Sequence, residues 1–99
     1  MAIAVYFHPK NMTLPQFEEA HRRLADAGAA EPDGRIHHSC FGEDGDLMVY
    51  DIWESPEAFE AFGGVLMPIL ADVGVDVGEP SVMKLNRLQQ SSTQLGAMT

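Results

Sequence analysis

Asp44-Gly45 stands between two strand-like runs, residues 35–41 (RIHHSCF) and 47–53 (LMVYDIW), and ties the middle of the chain into a hairpin. Asp-Gly supplies the positive φ that tight hairpin turns require, so Glu43-Asp44-Gly45-Asp46 is the turn. Residues 47–53 carry the strongest β signal in the chain. Upstream, residues 2–8 (AIAVYFH) form an apolar run that stops at Pro9, a first strand. Thr13-Leu14-Pro15-Gln16 then opens a helix: Thr13 caps, Pro15 suits the first turn and Gln16 sits at the capping-box position. Phe17, Ala20, His21, Leu24 and Ala27 follow at helical spacing, with Glu18, Glu19, Arg22, Arg23 and Asp26 on the other face and Gly28 as the stop. Residues 29–34 (AAEPDG) are a loop.

Downstream, Ser55-Pro56-Glu57 opens a second helix with a cap, a first-turn proline and an acid facing the helix dipole. Phe59, Phe62, Leu66, Ile69, Leu70 and Val73 make its apolar stripe. Gly63-Gly64 and Pro68 interrupt that stripe and predict a kink or break near 63–68, before Gly74 ends the helix. Residues 75–80 are a loop and residues 81–88 (SVMKLNRL) a fourth strand. The tail 89–99 has no period and is expected to be flexible.

The order is therefore β-α-β-β-α-β over residues 1–88, one α+β domain. Two β-α-β halves joined by a hairpin give the ferredoxin-like four-stranded antiparallel sheet. Right-handed crossovers place both helices on one face. The other face is left uncovered, yet it is apolar. Residues 47–53 offer Met48, Tyr50 and Ile52 on one side and Leu47, Val49 and Trp53 on the other. The first strand offers Ile3, Val5 and Phe7 against Ala4, Tyr6 and His8. Strands buried on both faces lose polar alternation. A second copy packed face to face about a two-fold axis would cover the exposed apolar sheet, so a homodimer through the open sheet face is expected.

Charge narrows the partners. Fifteen acidic residues against six basic ones give a net charge of −9, and the basic residues are scattered. Nucleic-acid binding needs clustered Lys and Arg, and anionic membranes attract the same, so neither is expected as a partner. No apolar stretch approaches the ~20 residues of a membrane span. No secretory leader is visible at Met1–Phe7 and Cys40 is the single cysteine, so a cytoplasmic location is the default. There is no phosphate-binding glycine loop, zinc spacing, nucleophile elbow or EF-hand pattern, and no cofactor or metal is expected.

Tyr50-Asp51-Ile52-Trp53-Glu54-Ser55-Pro56-Glu57-Ala58-Phe59 resembles the corresponding stretch of the dimeric α+β barrel superfamily, nearest to its antibiotic-biosynthesis-monooxygenase-like group. There the third strand ends in Tyr, an acid, a variable residue and Trp, followed by a capped helix. His37 resembles the His that such relatives often carry in strand two. The resemblance covers residues 2–88. It implies a pocket between sheet and helices, with a wall position that carries over to Trp53. It also implies an activity among cofactor-free oxygenation, haem degradation and quinol oxidation. Phe62 stands where many relatives have a helix-two His, which speaks against haem ligation.

His37 and His38 are neighbours on a strand and point to opposite faces. The hairpin decides which of them meets Asp51. A two-residue Asp44-Gly45 loop pairs Glu43 with Asp46 and sets His38 opposite Asp51. A three-residue loop pairs Gly42 with Asp46 and sets His37 there instead. Either pair is an imidazole oriented by a carboxylate, the arrangement a general base uses, or else a structural cross-strand contact. The resemblance favours His37 with Asp51 as the catalytic pair. Tyr6, His8, His38, Trp53, Phe62 and Met67 are the candidate ligand-binding residues, and most of them would equally serve an ordinary core or strand end. His21, on the apolar side of the first helix, reads as a core or boundary histidine. The resulting expectation is a dimer that binds a small aromatic or hydrophobic molecule, with oxygenase-like or isomerase-like chemistry. The alternative is a non-catalytic accessory protein with a filled core. A cavity of several hundred Å³, the usual range for ligand sites, would favour the first.

Overall fold

The computed structural model describes residues 1–91. Its elements are β1 (Ile3–Phe7), α1 (Leu14–Asp26), β2 (Arg35–Glu43), β3 (Asp46–Trp53), α2 (Pro56–Asp72) and β4 (Ser81–Lys84). The four strands form one antiparallel sheet in the order β2-β3-β1-β4, the ferredoxin-like arrangement.

Local chemistry sets the element ends. Thr13 Oγ1 accepts from the Gln16 amide at 3.2 Å, and Gln16 Oε1 accepts from the Thr13 amide at 3.0 Å, completing the capping box of α1. Ser55 Oγ accepts from the Ala58 amide at 3.1 Å and opens α2. Gly45, at φ 91°, takes the left-handed conformation in the hairpin turn, and Gly28, at φ 75°, takes it just beyond α1. Glu43 pairs with Asp46, so the hairpin has the two-residue loop.

Strand register then sorts side chains between the two faces. Ile3, Val5, Phe7, Leu47, Val49, Asp51 and Trp53 face the helices, where all but Asp51 join the main core with Ala20, Leu24, Phe62 and Leu70. Ala4, Tyr6, Met48, Tyr50 and Ile52 face away, with His37, Ser39 and Phe41 of β2 and Met83 of β4 beside them.

Two expectations change. The break foreseen near 63–68 does not occur: α2 runs unbroken from Pro56 to Asp72 with Pro68 inside it. Pro68 cannot donate to the carbonyl of Gly64, but Gly64 is exposed, so water can take that place. The foreseen fourth strand over 81–88 ends at Lys84, although the Leu85 amide still donates to the Ala2 carbonyl at 3.0 Å. The chain then turns across the outer face, where residues 87–91 border a groove of about 470 Å³ with His37, Tyr50 and Ile52. Part of the face that the element order leaves uncovered is thus covered by the chain itself. The remainder of the tail expected to be flexible lies outside the described residues.

Gly64 offers a simple test of helix energetics. A Cβ there meets no atom within 4 Å. Gly64→Ala is therefore expected to raise unfolding free energy by about 0.5–1 kcal/mol, read from the urea midpoint.

Candidate functional site

Between the sheet and the helices lies a cavity of about 60 Å³. Its walls are mostly apolar: Phe7 from β1, Met12 from the loop after it, Phe17, Ala20 and Leu24 from α1, Phe62, Leu66 and Leu70 from α2, and Val75 and Val77 beyond. Its polar residues are Asp51 from β3, His38 and Arg35 from β2, and His21 from α1.

The hairpin turn positions the first pair. Because the loop has two residues, His38 lies opposite Asp51, and both face the helices. Asp51 is only 3% exposed, and its Oδ1 lies 2.6 Å from His38 Nδ1. A carboxylate accepts, so Nδ1 of His38 carries a proton and donates it to Asp51. The other ring nitrogen, Nε2, faces a second imidazole. It lies 3.2 Å from Nε2 of His21, and the two rings stand 5.1 Å apart. Phe17 stacks on His38 at 6.2 Å and packs against His21 at 4.4 Å, fixing both rings from the helix side.

Two nitrogens at this distance need one proton between them. Burial, then the neighbouring His38 and Arg35, push the His21 pKa below its ordinary 6.5. That shift favours the neutral form of His21. Either it donates Nε2–H to a neutral His38, or it accepts from His38 when that ring is an imidazolium balanced by Asp51. An extra proton has its open place on Nδ1 of His21, and taking it there shifts the proton between the two Nε2 atoms onto His38, where Asp51 balances the charge.

The His21 shift has a pH consequence. A histidine whose pKa is depressed by folding binds protons more readily in the unfolded chain. Stability then falls as pH drops below 6.5, and continues to fall until the folded-state value is passed. His21→Gln is expected to flatten that loss between pH 7 and 5 in urea titrations. Glu19 does not interfere in this window. Its bonds to Arg22 and then Arg23 hold it down at about 2, so its contribution fades only below 4.5.

The sequence candidates divide. His38, Asp51 and Phe62 line the cavity. His37 does not: it faces away from the helices, its Nε2 is 3.1 Å from Ser39 Oγ and its ring is 5.7 Å from Tyr50. The pairing of His37 with Asp51 is thus replaced by His38 with Asp51, because the loop has two residues. Tyr6 also faces outward. His8 is exposed at the end of β1, with its Nε2 2.8 Å from Asp46 Oδ1. Met67 is exposed on α2. Trp53 is 0% exposed and packs on Phe59 and Phe62 at 5.8 and 5.3 Å, one layer behind the cavity wall. Cys40 is half-buried among the core side chains, and burial pushes its thiol pKa up, as for an unreactive cysteine.

Two polar residues of the site escaped sequence reasoning. His21 had the right signal, four residues after Phe17 on the apolar face, but nothing local says what that face meets. Arg35 had the wrong one. Arg35 and His38 are three apart, which in a regular strand means opposite faces. A bulge between Arg35 and His37 inserts an extra residue, and Arg35 lies over the Phe62 ring at 5.7 Å, on the same side as His38. Among the described residues no group of His, Cys, Asp and Glu could hold a metal ion. Among them, too, no helix is long and apolar enough to cross a membrane.

No protein-family model matches the chain, and no curated protein matches it significantly. Solved structures do. SnoaB from Streptomyces nogalater, described as a cofactor-independent oxygenase, is 17% identical and superposes with a TM-score of 0.60, over 91% of this chain and 96% of its own. Rv0793 from Mycobacterium tuberculosis is 23% identical with a TM-score of 0.54, over 93% of this chain and 100% of its own. A proposed antibiotic biosynthesis monooxygenase from Deinococcus radiodurans is 10% identical with a TM-score of 0.59, over 94% of this chain and 100% of its own. At these identities the likeness speaks for the fold: the chain has the ferredoxin-like fold of the antibiotic-biosynthesis-monooxygenase-like proteins.

Proposed function

We propose that this chain binds a small, mostly apolar molecule between its sheet and helices and moves a proton on it through Asp51, His38 and His21. The reaction class is cofactor-independent oxygenation or a proton-transfer isomerisation. One observation carries this: a 3%-exposed carboxylate bonded to an imidazole whose other nitrogen faces a second histidine beside an apolar cavity. A buried ion costs desolvation that apolar packing would avoid, whereas a general base requires this orientation. That a protein of the same fold is described as a cofactor-independent oxygenase supports the class by analogy.

The cavity limits the ligand. At about 60 Å³ it is well below the roughly 150 Å³ that accepts benzene in an engineered cavity. A ring enters only if side chains of α2 or of the Val75–Val77 segment give way, and a polycyclic molecule needs more. The same tightness favours a second reading, an accessory protein whose core is nearly filled. Dimerisation is part of the proposal in both cases. Phe41 and Met83 on the outer face are 45% and 52% exposed, and a second copy would cover them. A single cysteine, with no intrachain disulfide to form, suits a reducing cytoplasm.

Native mass spectrometry of protein purified gently from its host tests the binding and the dimer together. A dimer carrying a reproducible small-molecule adduct supports the first reading, a bare dimer supports the accessory one, and a monomer removes the outer-face interface. With the ligand identified, His38→Ala is expected to slow its turnover by about 10²–10⁴-fold, the usual worth of a positioned base. His37→Ala, altered on the other face, is expected to leave turnover unchanged. Equal losses in both variants would remove the assignment.

A further inference from the structure

Helices and paired strands make most of the cavity wall, but part of it is two loop segments. Residues 8–13, between β1 and α1, contribute Pro9 and Met12, both buried, while Lys10 and Asn11 are exposed. Residues 75–80, between α2 and β4, contribute Val75 and Val77, both buried, with Asp76 exposed between them. The first segment is tied to the hairpin. The Leu47 amide donates to the Met12 carbonyl at 3.4 Å, and the Leu14 amide donates to Asp44 Oδ1 at 2.9 Å. The second segment is tied at its start, where the Val75 amide donates to the Leu70 carbonyl at 2.9 Å and Gln16 Nε2 donates to the Val73 carbonyl at 3.3 Å. From Asp76 to Pro80, one hydrogen bond among the described residues reaches the rest of the chain: the Lys10 amide donates to the Asp76 carbonyl at 3.1 Å. The Gly78 amide turns back to Asp76 Oδ1 at 3.1 Å, and pairing with β1 begins again only at Ser81.

From this placement we infer that residues 76–80 are a flap over the cavity, latched shut by the Lys10–Asp76 backbone pair, and that a ligand enters where this pair parts. The inference rests on the binding function proposed above. At about 60 Å³ the closed cavity is too small for a ring, so some part of its wall must give way. Parting two strands breaks several ladder bonds at once, and shifting a helix pulls apart side chains of the main core. Moving the flap breaks one backbone bond and withdraws one buried side chain, Val77. Openings of lowest cost belong to segments held by few bonds and few buried apolar groups. Gly78, at φ 63°, supplies the hinge, because a residue without Cβ passes between left- and right-handed backbone without a clash. Met12 stays with the hairpin as the fixed side of the entrance.

Two measurements on the full chain test the flap. The first needs no ligand: amide hydrogen exchange of the wild type is expected to show the Lys10 amide exchanging at least about tenfold faster than that of Val5, which β1 holds between β3 and β4. Equal protection of the two amides would mean that the latch opens only with the whole domain, and the flap is overturned. The second locks the latch. Lys10→Cys with Asp76→Cys places two exposed thiols on opposed residues of an antiparallel pair, with Cβ atoms about 4.5–5.5 Å apart, within small adjustment of a disulfide. Cys40→Ser removes the competing thiol. Benzene, which needs more room than the closed cavity offers, is the probe, and its exchange with the protein is followed by NMR. The reduced variant is expected to take up benzene as the wild type does. The oxidised variant is expected to do so at least about tenfold more slowly, with the rate restored by reductant. If the oxidised form takes up benzene as fast as the reduced form, the entrance lies elsewhere and the flap is overturned while the cavity stands. If benzene enters neither form nor the wild type, the binding function falls and the inference with it.

Discussion

Trp53→Ala is expected to lower unfolding free energy by about 3–5 kcal/mol, the usual cost of emptying a buried large aromatic position. Trp53 is 0% exposed and sits against Phe59 and Phe62. A domain of this size has roughly 5–15 kcal/mol in total, so the variant is left marginal. Trp53→Phe is the informative partner. Nε1 of Trp53 is buried with no acceptor among the described residues, so phenylalanine removes an unsatisfied donor along with part of the ring. The loss should then be only about 1–2 kcal/mol, since relief of the buried donor offsets part of the cavity. Urea unfolding followed by circular dichroism reads both values. A loss below about 1 kcal/mol for the alanine variant would show that the indole is not the packing centre its burial indicates.

The second large effect concerns Asp51. Asp51→Ala strips His38 of its partner in the interior, and removing one member of a buried pair costs about 3 kcal/mol or more. Replacing both members, as in Asp51→Leu with His38→Met, should bring stability back to within about 1 kcal/mol of the wild type, because apolar packing needs no desolvation. The double variant separates the two uses of the pair. If Asp51 and His38 serve function, the double variant is folded and stable but does not turn over the ligand. If they serve the fold alone, it loses stability like the single variant. Thermal midpoints resolve the difference, at roughly 4–8 °C for each kcal/mol in a domain of this size.

The polar line of the site explains why its members had to be found in different ways. Asp51 was legible as an acid inside the strongest strand, where alternation puts it on the same face as Val49 and Trp53. His38 and His37 were legible only as alternatives, because a shift of one residue in the hairpin exchanges them. The resemblance to known relatives pointed to His37. Pairing of Glu43 with Asp46 turned His37 toward the outer face and gave His38 to the site.

What residues 1–91 determined by themselves was everything encoded within a few positions along the chain. The Thr13-Gln16 capping box, the Ser55 cap and the Asp44-Gly45 turn each satisfy backbone groups close in sequence, so the element order and the ferredoxin-like fold followed from them. Tertiary structure decided what depends on a partner distant in sequence. It carried α2 unbroken through Pro68, because packing along the Phe62 and Leu70 face outweighs one lost hydrogen bond. It brought His21 to His38 across 17 residues, and through a bulge it set Arg35 on the same cavity wall. Periodicity records which way a side chain points, whereas only the packed chain decides what stands opposite it.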